Sequence, residues 1–153
     1  MRRCAVAVCL LALGLPVPLT GSSTTESTLA GHVSFTDGRA QLSGDLAGGL
    51  QGRLTLDLGT AAGVIDGHAW RLELQRQDGE GTWYDAGVLF GTVLSGSMSA
   101  TEDGQTVTAD RIELAVNGGD GELADIVAGS GQLRFTIQSG ETPRASGTLT
   151  LTF

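Results

Sequence analysis

The sequence predicts an all-β protein built as an antiparallel barrel of eight or nine strands, and three observations lead there. Apolar and polar residues alternate along most of the chain, helical periodicity is nearly absent, and glycine-rich turns separate the alternating runs. With 24 glycines, three prolines and 41% apolar residues, the chain is dense in turns yet apolar enough to bury a core.

Residues 1–21 stand apart from this pattern. Arg2 and Arg3 supply a positive start, Cys4 to Leu15 an apolar run, and Pro16 and Pro18 interrupt it. That is the layout of a secretory signal peptide, cleaved after Gly21 or, alternatively, after Ser23. The apolar run is shorter than the roughly 20 residues a membrane-spanning helix needs, so no transmembrane helix is expected. The flanking Cys4-Ala5-Val6 lacks the polar and bulky residues of a twin-arginine signal, which favours bacterial-type Sec export and a secreted or periplasmic location. Both cysteines, Cys4 and Cys9, leave with this segment. Val8 stands before Cys9 where lipidation needs a small residue, so no lipid anchor is expected. The mature chain then has no thiol for a disulfide, a nucleophile or a metal ligand, and it must be held by its own core.

Residues 22–28 are polar and are expected to form a flexible lead-in, with 29–153 as one β domain. The clearest strand places Leu50, Gly52, Leu54, Leu56 and Leu58 on one face and Gln51, Arg53, Thr55 and Asp57 on the other. The same alternation predicts inward faces of Val33 and Phe35; Leu42 and Leu46; Trp70, Leu72 and Leu74; Tyr84, Val88, Phe90 and Leu94; and Ile112, Leu114 and Val116. Two last strands offer Leu133, Phe135 and Ile137, then Leu149, Leu151 and Phe153, joined through Ser139 to Pro143 as a hairpin. Burying one such leucine stabilises by roughly 1.5 to 3 kcal/mol, which outweighs the cost of glycine within the strands. Strands this numerous with no helix between them form either a closed barrel or a two-sheet β-sandwich. The barrel is preferred, because closure hides the strand edges of a chain that has no lysine to protect them.

A Gly-x-Leu-x-apolar phrase recurs from Gly52, Gly131 and Gly147 at irregular spacing, which fits strands entering through similar turns and not a solenoid. Between Asn117 and Asp125, oxygen ligands crowd around glycines, but neither the calcium-loop nor the β-roll register is met. A glycine turn with solvated acids is expected there, and no metal site and no cofactor.

The segments Gly118-Gly119-Asp120-Gly121-Glu122-Leu123 and Ala128-Gly129-Ser130-Gly131-Gln132-Leu133 resemble the Gly-Gly-Thr-Gly-x-Phe and Ala-x-Gly phrases of the allene oxide cyclase and dirigent families. The likeness covers about the last 40 residues. It implies an eight-stranded antiparallel barrel. Asp120 stands in place of the families' threonine and Leu123 in place of their aromatic, and none of their catalytic positions finds a match here.

With Arg2 and Arg3 removed, seven arginines face 17 acids and the formal charge is −10. Such a surface repels phosphate backbones and disfavours nucleic acid as a partner. No nucleophile elbow, zinc-binding helix or phosphate loop occurs, and no catalytic residue is assigned. The candidate binding residues are Asp66, His68, Trp70 and Trp83. His68 shares the parity of Trp70, Leu72 and Leu74, which would turn it into the barrel near Asp66, or leave it hydrogen-bonded at the strand's start. Glu73 has the opposite parity, and His32 faces solvent. Adjacent residues on a strand point to opposite faces, so with Tyr84 inward Trp83 is exposed, as a stacking platform or beneath a loop.

Three functions fit these residues. The favoured one is non-catalytic binding of a small apolar molecule, a glycan or a surface partner. An isomerase or cyclase of the allene oxide cyclase type would need an inward His68 in a lined cavity. A small outer-membrane barrel is suggested by the alternating, Phe-ending terminal strand, but seven aromatics are too few for two interfacial girdles.

Overall fold

The structure, a computed structural model, describes residues 23–59 and 63–153. The expected signal segment and its cysteines lie outside the described residues. The described residues form strands β1 (Thr24–Thr36), β2 (Arg39–Gly48), β3 (Gly52–Gly59), β4 (Gly63–Val64), β5 (Ala69–Gln77), β6 (Trp83–Ser95), β7 (Ser97–Ala100), β8 (Thr106–Gly121), β9 (Gly129–Gln138) and β10 (Arg144–Thr152).

Eight strands close an antiparallel barrel in the order β1-β2-β3-β5-β6-β8-β9-β10, and β10 pairs back onto β1. Closure leaves no long unpaired edge, the property that favoured the barrel over the sandwich. Outside the ring, β7 continues β6 past a break at Gly96 and pairs with the start of β8, while the two-residue β4 pairs with β7.

The inward faces follow the alternation closely. Leu42, Leu54, Leu56, Leu72, Leu89, Ile112, Leu114, Leu133, Leu149 and Leu151 are all essentially inaccessible. An eight-stranded barrel has an interior just wide enough for side chains to fill it, and leucine on nearly every strand does so. One end is covered by Leu123 and Ile126, carried on the turn after β8. At the opposite end, Ile65 and Met98 are buried beside the break at Gly96.

Four expectations are corrected. The segment expected to lead in flexibly is strand from Thr24 onward. Its Thr24 to Thr28 pair with Thr152 to Thr148 and turn Ser27 inward, where its Oγ accepts the Leu50 N–H at 2.7 Å. Phe35 is exposed, because the strand has left the barrel rim for the Asp37–Gly38 turn. Gly118 to Gly121 are the end of β8 and not a turn, and the chain reverses only from Glu122.

The fourth correction is the face of β6. Ala86, Leu89, Gly91 and Val93 point inward, and Tyr84, Phe90 and Leu94 are exposed. Ala86 is the extra residue of a bulge opposite Leu74 and Gln75, which resets the parity between Tyr84 and Val88. Beyond the bulge, Trp70 decides the face. Its indole fills the interior beside Gly91 and donates Nε1–H to the Ala115 carbonyl at 3.0 Å. A Cβ at position 91 would overlap that carbonyl and lie 2.8 Å from the Trp70 ring, so the row facing Trp70 must be glycine. Phe90 is left outside, lying over Gly118, where a Cβ would come within 2.9 Å of its ring.

Candidate functional site

The four candidate residues do not converge. Trp70 is a core residue with its one polar atom satisfied. Asp66 and His68 lie at the barrel end where β5 begins, and Trp83 opens β6 at the opposite end. Asp66 Oδ1 accepts the Gly96 N–H at 3.0 Å, which holds the break between β6 and β7. The turn it starts is laced to β6 by Gly67 N–H to the Val93 carbonyl and Val93 N–H to the His68 carbonyl. Asp66 therefore serves the local fold.

His68 is half-buried at the barrel mouth, one residue before β5, and not inside the barrel. Its Nδ1 is 3.0 Å from the Asp57 carbonyl oxygen. A carbonyl only accepts, so the Nδ1–H donates to it. The ring packs on Gly59, which has φ +64° and would bring a Cβ to 2.5 Å from His68 Cε1. Glycine is required there twice, by backbone and by space. Gly59→Ala is expected to destabilise by roughly 1 to 3 kcal/mol. Adding His68→Ala should recover part of that loss, which a double-mutant cycle in urea measures.

Sequence reasoning missed the carboxylate of this cluster. Asp57 pairs with Arg39 across the β2–β3 ladder and accepts the Gly59 N–H at 2.8 Å. Burial alone would raise its pKa, but the Gly59 N–H, the Arg39 guanidinium and the His68 ring together hold it below the ordinary carboxylate value of 3.8. A depressed pKa contributes stability that is full above the unfolded value and lost as pH falls through the folded one. Arg39 is largely exposed, so screening limits the contribution to about 1 kcal/mol. Asp57→Asn should thus lower stability by about that much at pH 7, with the difference vanishing at pH 2 in parallel urea titrations.

The mouth cluster joins one imidazole to the strand that carries one ion-paired carboxylate. A cyclase site would need His68 in a lined cavity, and the interior above it is occupied by Trp70, Leu56 and Leu72. A depression of roughly 210 Å³ lies on the outer wall instead, over β1, β9 and β10. The outer wall is charged and polar elsewhere, with Arg53, Arg71, Glu73, Gln75 and Asp45 among its residues. Apolar inside and charged outside is the reverse of a lipid-facing barrel, which argues against the outer-membrane alternative.

One strand departs from that polar wall. Trp83, Val88, Phe90 and Leu94 occupy the outer face of β6, with Trp83 49%, Phe90 43% and Leu94 60% exposed. The register sets Phe90 between Arg71 and Gly118, and Thr92 between Ala69 and Ala115. Between Phe90 and Leu94 stands Thr92, whose cross-strand neighbours Ala69 and Ala115 are small. Tyr84 lies on the other parity beyond the rim, beside the Arg76–Glu122 pair at 3.0 Å; desolvation and then Glu122 raise its phenol pKa. Four of the chain's seven aromatics are exposed, and three of those are on β6. Set against known proteins, the chain matches no protein family, no curated protein and no solved structure.

Proposed function

We propose that this protein is an exported, non-catalytic binding module that meets a surface partner with the outer wall of β6. The observation that carries the reading is the apolar row of Val88, Phe90 and Leu94, with Trp83 on the same face beyond Asp85, on a wall that is otherwise polar. Isolated exposed apolar residues are ordinary, but aligned ones flanked by small residues favour a contact surface. The filled interior argues in the same direction, since a small apolar molecule has no lumen to enter. Export rests on the charge, apolar run and prolines of residues 1–21.

The purified protein is expected to be retained by the envelope fraction of the cells that produce it. Phe90→Ser with Leu94→Ser should reduce retention at least tenfold while the far-ultraviolet circular dichroism spectrum stays unchanged. Equal retention of wild type and variant, or no retention of either, would overturn the contact face. N-terminal sequencing of the exported chain should begin at Ser22, and a chain keeping Met1 inside the cell would overturn export.

A further inference from the structure

A second feature of the outer wall, on the side of the barrel away from β6, is built from register alone. In one row across three strands, Glu26 on β1 faces Thr150 on β10, which faces Gln132 on β9; in the next, Thr28 faces Thr148, which faces Arg134. All point outward, because Leu149, Leu151 and Leu133 between them point in. Short threonines on the middle strand and long side chains on its neighbours produce a trough. Its volume is roughly 210 Å³, and its lining is Glu26, Gln132, Arg134, Thr148 and Thr150.

The trough holds one arginine and one carboxylate that do not pair with each other. Arg39, Arg53, Arg71, Arg76 and Arg111 each meet a carboxylate. Among the described residues, Arg134 meets none, and neither does Arg144 at the start of β10, but only Arg134 lines the trough, with Glu26 bordering it as well. Two strands and one row separate their backbones, so the guanidinium and the carboxylate stand at opposite ends of a floor of hydroxyls. Arginine presents a planar fork matched to a carboxylate, while a carboxylate and threonine hydroxyls are natural partners for hydroxyl groups.

We propose that this trough binds a sugar ring bearing one carboxylate, a hexuronate unit of an acidic glycan, independently of the β6 surface. The sugar carboxylate takes the Arg134 end, and ring hydroxyls donate to Glu26 and exchange hydrogen bonds with Thr148 and Thr150. Glu26 repels the ligand's carboxylate and so fixes one orientation along the trough. The chain's net negative charge does not prevent this at physiological salt, where a screening length of about 8 Å lets the nearest charge dominate.

The test is a titration of the isotope-labelled protein with D-glucuronate, D-glucose and acetate, followed by backbone amide shifts. Glucuronate should give saturable shifts centred on Gln132, Arg134, Thr148 and Thr150, with glucose and acetate each at least tenfold weaker. Arg134→Gln, at an exposed position, should cost at least tenfold in glucuronate affinity, and Phe90→Ser should cost nothing. The proposal fails if glucuronate gives no saturable shift in the trough, if acetate does as well as glucuronate, if glucose does as well, or if Arg134→Gln changes nothing. Loss of envelope retention by the β6 variant with uronate binding intact would separate this site from the β6 contact.

Discussion

Gly91→Val is expected to abolish folding, giving insoluble protein or a soluble chain without the β-sheet circular dichroism signal. Any Cβ at this position overlaps the Ala115 carbonyl oxygen and presses on Trp70 Nε1 and Cε2. Neither obstacle can step aside. The carbonyl belongs to β8 backbone and already accepts the Trp70 indole N–H, and Trp70 is enclosed by the leucines around it. Overpacking an interior costs roughly 1 to 3 kcal/mol where side chains can shift. Here backbone must move as well, against a total stability of about 5 to 15 kcal/mol for a domain. Because the Ala115 carbonyl would still be struck, Gly91→Val with Trp70→Ala should not restore the fold. The neighbouring Phe90→Ser should fold normally, since Phe90 is on the outside. That contrast checks the face of β6: if the strand kept the simple parity of Tyr84, Val88, Phe90 and Leu94, Phe90→Ser would unfold the protein and Gly91→Ala would be mild. Chemical denaturation of Gly91→Ala and Phe90→Ser side by side decides between them.

The same strand shows how far the sequence carries. Strand β3 was legible because its leucines occupy one parity only and its other parity is polar. Strand β6 was not, because Val88 to Leu94 is apolar on both parities, and the choice rests on a tryptophan in another strand and a bulge that no local pattern marks. Thr24 to Thr28 has no apolar alternation to betray a strand. It becomes one by pairing with Thr148 to Thr152, more than a hundred residues away. The polar sites divide in the same manner. His68 and Asp66 were visible as polar residues at the start of an apolar strand, whereas Trp83 is exposed although Tyr84, whose inward face was to push it out, is exposed as well. Asp57 and Gly59 belong with His68 only because β3 and β5 are neighbours. The trough of Glu26, Thr150 and Arg134 exists only where closure of the barrel brings β1, β10 and β9 into register.

Leu72→Ala is expected to turn the filled interior into a binding cavity, at a cost of about 3 to 5 kcal/mol. Leu72 faces Leu54 on β3 and Leu89 on β6, and all three are fully inaccessible. Its neighbours project from hydrogen-bonded strands of a closed barrel, so the wall cannot collapse inward far enough to refill the space. The cost therefore belongs at the upper part of the range for such truncations, with a fall in Tm of about 10 °C or more. An apolar void of this kind stays dry and admits benzene-sized molecules. Benzene should accordingly raise the Tm of Leu72→Ala and leave wild type unchanged, because a ligand stabilises only the state it binds. A rise for wild type would mean that the native barrel already holds an apolar cavity, and a small-molecule function inside it would return. No rise for either, with a Tm loss of only a few degrees, would mean that the barrel wall relaxes around the missing side chain. The expected pattern, stabilisation in the variant alone, means that the native interior is filled by its own side chains and offers no room to an apolar ligand.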